Sequence, residues 1–342
     1  MNMLAAFTRN GVSRKAGSRR LAATAVLSAG GFPVLASPPP NYDFDWVSVG
    51  DPGNIAASPD DFALLGFEVG TVNHHYRITR TEVTTDQWLE FVHAYTPYHD
   101  GPRRDPDFIP TWIYWDGAQY QAQSGTERWP TEASWHYAAR FMNWLHNEKG
   151  SDRASFETGV YDTSTFGVNP DFSRSDQETH APGSRYWIPT LDEMIKSAFY
   201  DPDRFGAGQE GYWLYPDQGN EPLITGRPED GGETSHGLMI PGVVPVGGYP
   251  HVQSHYGLLD WSGGSSSEWT ESVDGSPERH RQIVGSTTGA LNTGTEDRLD
   301  WIGSVWPTAS NNFRVASLVP APSVIGVGCI GAVTLLRRRR KG

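Results

Sequence analysis

The chain has 342 residues with 13 Trp, 14 Tyr and 14 Phe but a single cysteine. A sizeable aromatic core is therefore within reach, whereas a disulfide framework or thiolate cluster in the body is not. Thirty-eight glycines and 25 prolines beside so many aromatics indicate a loop-rich globular domain rather than disorder. The first 36 residues carry five bases and no acid (Arg9, Arg14, Lys15, Arg19, Arg20), and Arg337 to Lys341 add five more. Removing those ten from the 27 leaves 17 bases against 40 acids, a body charge of about −23. Such a surface repels nucleic acid and suits divalent cations.

Residues 1–36 read as a secretory signal: a basic start, the apolar stretch LAATAVLSAGGFPVLA and a small-residue cleavage site after Ala36. SRRLA, at 18–22, loosely resembles a twin-arginine motif and leaves the export route open. In the body, residues 37–317, YRITRTEVT (76–84) has strand character and leads into a helix. Thr84 and Gln87 form a capping box there, and Trp88, Phe91, Val92 and Tyr95 share one face. TEASWHYAARFMNWLHNEKG (131–150) is the clearest helix, with Trp135, Ala138, Ala139, Met142 and Leu145 as its stripe and Lys149 and Gly150 as its stop. IPTLDEMIKSAFY (188–200) carries a second capping box, Thr190 with Glu193. Roughly 110 residues of Gly-, Pro- and Asn-rich loops follow, with short strand-like pieces such as RQIVGS and NNFRVA. No repeat or long linker divides the body, so the expected fold class is α+β with large irregular content.

The chain ends in VPAPSVIGVGCIGAVTLLRRRRKG, whose apolar run from Val324 to Leu336 contains Cys329. That run is shorter than the roughly 20 residues of a stable transmembrane helix. A Pro-rich box, a short apolar run and arginines in this order resemble the PEP-CTERM sorting tail, with Ala321 where that family has Glu. The resemblance implies recognition by an exosortase-type enzyme. The protein would then be periplasmic, surface-attached or extracellular, touching the membrane only through residues 318–342. A simple anchor oriented by its arginines implies export as well.

Seven motifs of the body fall in a familiar order: EVT leading a helix, a Ser-Trp helix ending in NWL, YWIPTLDEM, PVGGYP, YGLLDWSGG…EWTE, RQIVGS and NNFRVAS. Together they resemble the formylglycine-generating enzyme (sulfatase-modifying factor) family over about residues 46–317. The resemblance implies a variant of the C-type-lectin fold with little regular secondary structure. Members that make formylglycine hold copper through two cysteines, because soft thiolates select Cu(I). Counted from Ser286, those positions hold Gly289 and Gly294 here, and Ser267 replaces the tryptophan before the Glu of W-E-W. Glycine supplies no thiolate. Copper is therefore not expected, and Ser267, Ser286, Gly289 and Gly294 read as a degenerate catalytic cleft.

Calcium is the cofactor the resemblance implies, bound by carboxylates, amides and backbone carbonyls. Asp260, Gly263, Ser266 and Glu268 match one family site, on a loop one residue longer than the family's. Asn220, Glu221, Asp230 and Gly232 match a second. A metal-free turn held by Asx-type hydrogen bonds is the alternative for each set. Among His74, His75, His93, His99, His251 and His255, the last two stand four apart but in a loop, YPHVQSHYG, without helix signal, so metal-binding geometry is not implied and solvent-facing or hydrogen-bonded histidines are expected. SGGSSSE lacks the spacing of a nucleophile elbow. Asp297 with Asp300, and Glu268 with Glu271, read as solvated surface acids. Trp112, Trp115 and Trp213 are equally candidates for sugar stacking and for the core. The expected function is a non-catalytic, calcium-stabilised binding or envelope-matrix protein, its ligand a polysaccharide or another protein. The alternative is an oxidoreductase of the same family using different active-site chemistry.

Overall fold

The structure, a computed structural model, describes residues 38–238, 244–288 and 295–319. The signal segment, most of the sorting tail, Gly289 and Gly294 lie outside the described residues.

Short strands alternate with small helices and long loops. In chain order the strands are β1 (Trp46–Val49), β2 (Tyr76–Thr79), β3 (Ile113–Trp115), β4 (Tyr120–Ala122), β5 (Ala133–Ser134), β6 (Tyr186–Trp187) and β7 (Tyr200–Asp201). They continue as β8 (Gly211–Tyr212), β9 (Glu268–Val273), β10 (Arg281–Val284), β11 (Gly303–Val305), β12 (Ser310–Asn311) and β13 (Ala316–Leu318). The helices are α1 (Thr85–Tyr95), α2 (Trp135–His146), α3 (Ala154–Glu157) and α4 (Leu191–Phe199). The largest sheet is antiparallel with order β1-β2-β13-β6, and a second has order β11-β10-β9. The remaining pairs are β12-β5, β3-β4 and β7-β8.

Local chemistry explains the helix starts. Thr84 and Gln87, and likewise Thr190 and Glu193, exchange side-chain and backbone hydrogen bonds as reciprocal capping boxes. The expected face of α1 is buried, from Trp88 through Tyr95. Helix α2 is shorter than its sequence suggests. Ser134 caps it, in a strand conformation that pairs with β12, and the helix closes at His146. Glu148 and Lys149 take left-handed φ of 57° and 56°, and the Asn147 amide donates to the Ser155 and Thr158 carbonyls. These bonds turn the chain sharply toward α3.

Trp88 sits at the centre of the core, with ring centroids 4.7 Å from Phe91, 5.6 Å from Phe141 and 5.6 Å from Phe313. Each such pair adds about 0.5–1.5 kcal/mol beyond burial. This packing ties α1 and α2 to the segment entering β13. It thereby fixes three chain stretches whose charged residues meet: the turn after β2, the start of β9 and the approach to β13.

Candidate functional site

The loop GLLDWSGGSSSEW, residues 257–269, is anchored at both ends. Trp261 packs edge-on against Phe199 at 4.8 Å, and the Trp269 indole N–H donates to the Ala133 carbonyl at 2.8 Å. Asn312 clamps the serines between them: its Oδ1 accepts from the Ser266 N–H at 2.8 Å, and its own N–H donates to the Ser267 carbonyl at 3.0 Å. Gly264 lies so close to Glu82 that a Cβ would meet its Oε1 at 2.8 Å, so a side chain there would displace the Glu82 carboxylate.

At the foot of this loop two carboxylates, Glu268 and Glu82, share one guanidinium, with a third, Asp260, in their electrostatic neighbourhood. Arg314, fully buried, donates through Nε to Glu268 Oε2 at 2.7 Å and through Nη2 to Glu268 Oε1 at 2.9 Å. Its Nη1 donates to the Arg80 carbonyl at 2.7 Å. Glu82 Oε2 stands 3.8 Å from Arg314 and is buried without a hydrogen-bond partner. Asp260, in a left-handed conformation with φ 57°, accepts from the Gly247 N–H at 2.6 Å. Burial, with repulsion from Glu268, holds the Glu82 carboxyl well above its usual range. Burial likewise pushes Asp260 up to about 6 and raises Glu268. Desolvation opposes the Arg314 charge, but Glu268 and Glu82 outweigh it and keep its pKa raised. Removing ions from water costs several kcal/mol each, and the raised carboxyls offset that cost by holding their protons more tightly, with Arg314 and, for Asp260, Arg128 opposing.

A cavity of about 10 Å³ adjoins the cluster, lined by Glu82, Asp260, Ser262, Gly263 and Gly264 among others. That is room for about one water-sized occupant. Of the first expected calcium set, Asp260 and Gly263 line this cavity. Ser266 is tied to Asn312 and Asn311, and both Glu268 oxygens face Arg314. Glu82, whose Oε2 has no hydrogen-bond partner, lines the cavity in place of Glu268. Among the described residues no three His, Cys, Asp or Glu side chains form a metal-ligand group. A hard cation here would need loop carbonyls to complete its shell, as calcium does, beside the carboxylates of Asp260 and Glu82 that line the cavity.

Of the second set, Asn220, Glu221 and Asp230 are exposed. The Asn220 side-chain oxygen accepts from the Leu214 N–H at 3.3 Å, and Asp230 ends a one-turn helix closed by Gly231 at φ 81°. Gly232 is buried, with the Gly226 backbone in the space a Cβ would take.

Ser286 and Ser267, which the resemblance assigns to a catalytic cleft, make contacts within the scaffold. Ser286 is buried, and its hydroxyl accepts from the Gly263 N–H at 2.8 Å. Ser267 is buried behind Asn312.

The acids expected at the surface are all buried: Glu268, Glu271, Asp297 and Asp300 are each 1–3% exposed. A basic group accompanies each, which is what lets a carboxylate leave water. Asp300 takes Arg298 at 2.6 Å, Glu271 takes His180 at 2.9 Å, and Asp297 lies 3.5 Å from the buried His236. Sequence reading passed over His180, His236, Glu82 and Arg314. The last two lay in plain view inside the EVT and NNFRVAS motifs.

The candidate histidines are scattered. His74 meets Glu193 at 2.9 Å, His93 the Tyr120 carbonyl at 2.8 Å, His99 Asp105 at 3.1 Å and His255 Asp201 at 3.4 Å. The three candidate tryptophans are half-buried. Trp112 packs on Trp129, while Trp115 and Trp213 lie under Arg103 and Arg204.

Neither a protein-family model nor a curated protein matches the sequence. Among solved structures the chain is similar to CarF, with 19% identity over 81% of this chain and 99% of that one and a TM-score of 0.46. It is also similar to Treponema denticola variable protein 1, with 14% identity, 80% and 94% coverage and a TM-score of 0.46. PvdO from Pseudomonas aeruginosa gives 18% identity, 81% and 92% coverage and a TM-score of 0.39. The chain's own geometry defines an α+β domain of small helices and mostly antiparallel strands.

Proposed function

We propose that this chain is an exported domain of the formylglycine-generating-enzyme type that has given up oxidation and serves as a binding or envelope-matrix protein. The observation that carries this reading is that Gly289 and Gly294 stand where the resemblance puts the two copper-binding cysteines. Ser286 and Ser267 are both buried, the Ser286 hydroxyl accepting from the Gly263 N–H and the Ser267 backbone carbonyl from the Asn312 N–H. The chain's one cysteine, Cys329, falls in the tail motif, so the body offers no thiolate for Cu(I).

Calcium is the proposed structural cation, placed between Asp260 and Glu82 with loop carbonyls completing its shell. Its two positive charges would offset the excess of buried carboxylates beside Arg314. The leader and tail motifs support export and processing by an exosortase-type enzyme.

The test is to purify the exported protein, measure its metals and incubate it with a Cys-x-Pro-x-Arg peptide. Calcium without copper or iron, and an unmodified peptide by mass spectrometry, are the expected results. Formylglycine in the peptide sinks the non-catalytic reading, and stoichiometric iron or copper favours an oxidoreductase with other ligands.

A further inference from the structure

Three strand ends meet at one end of the largest sheet. Tyr76, the first residue of β2, pairs with Val49, the last of β1, and with Leu318, the last of β13. The β1–β2 connection, residues 50–75, therefore rises from the end at which the chain leaves β13 for residues 320–342. Leu318 is itself 44% exposed. The apolar run of the tail begins at Val324, six residues further on, which is within an extended reach of about 20 Å.

The connection is held in shape while showing apolar groups to water. Ala57 and Val69 exchange backbone hydrogen bonds at 2.8 and 3.1 Å, and the Gly53 N–H donates to the Val72 carbonyl at 2.9 Å. The Ile55 N–H is fixed on Glu210 and the Leu64 N–H on Asp300, each at 3.1 Å. Yet the Ile55, Leu64 and Phe67 side chains are 47–53% exposed. Large apolar residues gathered on one short loop mark an interaction site, where single scattered ones do not.

Charge decides what the loop selects. Residues 51–69 carry Asp51, Asp60, Asp61 and Glu68, all exposed, and no base. Two bases border the loop from other elements, and both are engaged. Buried Lys196 donates to the Asp51 carbonyl at 2.7 Å, and Arg298 pairs with Asp300 at 2.6 Å. The loop thus suits a segment that is apolar, basic and free of acids. Residues 320–342 have that composition: the run from Val324 to Leu336, then Arg337 to Lys341, with no Asp or Glu.

We infer that the tail folds back onto this loop, its apolar run against Ile55, Leu64 and Phe67 and its arginines beside Asp60, Asp61 and Glu68. Docked there, the run is sheltered from water while the protein is in solution, and a membrane or a processing enzyme must compete for it. The inference asks only that the tail be attached; it depends neither on calcium nor on the loss of oxidation.

Cys329, the chain's one cysteine, lies within the run and serves as the reporter. The test uses the full chain, tail uncleaved, in detergent-free buffer. Ala63→Cys places a second thiol at an exposed position of the loop, and mild oxidation should join it to Cys329 within one chain, read by peptide mass mapping. Ile224→Cys, 60% exposed on another loop, should give no such bridge. Cys329 of the parent should react with a maleimide at least tenfold more slowly than in Leu64→Ser with Phe67→Ser, or in Asp60→Lys with Asp61→Lys. All four of those side chains are exposed, so the fold tolerates the changes. No bridge from Ala63→Cys, an equal bridge from Ile224→Cys, or an unchanged maleimide rate overturns the fold-back. Bridges formed only between chains overturn it too, and make a second copy the occupant of the loop.

Discussion

Glu268 and Arg314 are joined by two hydrogen bonds, at 2.7 and 2.9 Å, with both side chains enclosed by protein. The pair couples the first residue of β9 to the segment entering β13, and Glu82 leans on the same guanidinium from the turn after β2.

Removing the cation should therefore be costly. Arg314→Met leaves Glu268 and Glu82 buried without a counter-charge, and stability should fall by about 3–5 kcal/mol in urea denaturation. Glu268→Gln keeps a hydrogen-bond acceptor and leaves Glu82 beside Arg314, so its loss should be smaller. Equal losses in the two variants would show that the guanidinium charge is not what matters.

The raised carboxyls make a pH-dependent claim. Asp260, at about 6, holds its proton more tightly folded than unfolded. Without calcium, the cluster therefore stabilises the fold as pH drops from about 6 toward 4 and weakens it above 6. A rise of that size corresponds to about 3 kcal/mol of lost stability at pH 7. In chelator, Asp260→Asn should gain about 1–3 kcal/mol at pH 7 and lose that slope. Calcium should raise the melting temperature of the parent protein at pH 7 but much less at pH 5, where protons compete. A variant that still responds to calcium as the parent does would remove Asp260 from the site.

His180 titrates against a different carboxylate. Glu271 accepts from its backbone N–H at 2.7 Å and from the Tyr161 hydroxyl at 2.6 Å, and lies 2.9 Å from Nδ1. Burial works against the imidazolium, but Glu271 outweighs it, so the pKa stands above the ordinary value. Its stabilising effect is full below about 6.5 and is lost as pH rises through the folded pKa. Ring-proton NMR should place His180 above 6.5 and show it falling in Glu271→Gln. An unchanged titration in that variant would contradict the pairing.

Gly232 tests a steric reading of a residue that the resemblance assigns to calcium. A Cβ there runs into the Gly226 carbonyl, which is backbone and has no rotamer by which to yield. Gly232→Ala should cost about 1–3 kcal/mol with or without calcium, by thermal melting. Gly231→Asn keeps a left-handed residue at φ 81° and should cost less. A loss seen only in the presence of calcium would restore Gly232 to a ligand role.

The elements legible in the sequence were those whose cause is local. Thr84 with Gln87, and Thr190 with Glu193, satisfy each other within one turn, so spacing alone reveals them. The stop of α2 was misread because Lys149 and Gly150 look like a helix end, whereas Asn147 had already turned the chain through bonds to Ser155 and Thr158. The acidic site was legible in part. Asp260 and Glu268 stand in one loop, but Arg314, the partner that claims Glu268, lies 46 residues further along the chain. Composition pointed the wrong way for Glu271, Asp297 and Asp300: in so acidic a chain surface is the sound expectation, and only three-dimensional pairing with His180, His236 and Arg298 reverses it.

Strand β13 pairs on one side with β2 and on the other with β6, so the last strand of the described body fills the middle of its largest sheet. A tether pulling from beyond Leu318 would load that strand along its length, straining the flanking ladders together rather than peeling them one bond at a time. Mechanical resistance at the attachment point would thus be set by backbone pairing in the sheet. A domain held at a cell surface by its C-terminal side would be gripped through its own centre.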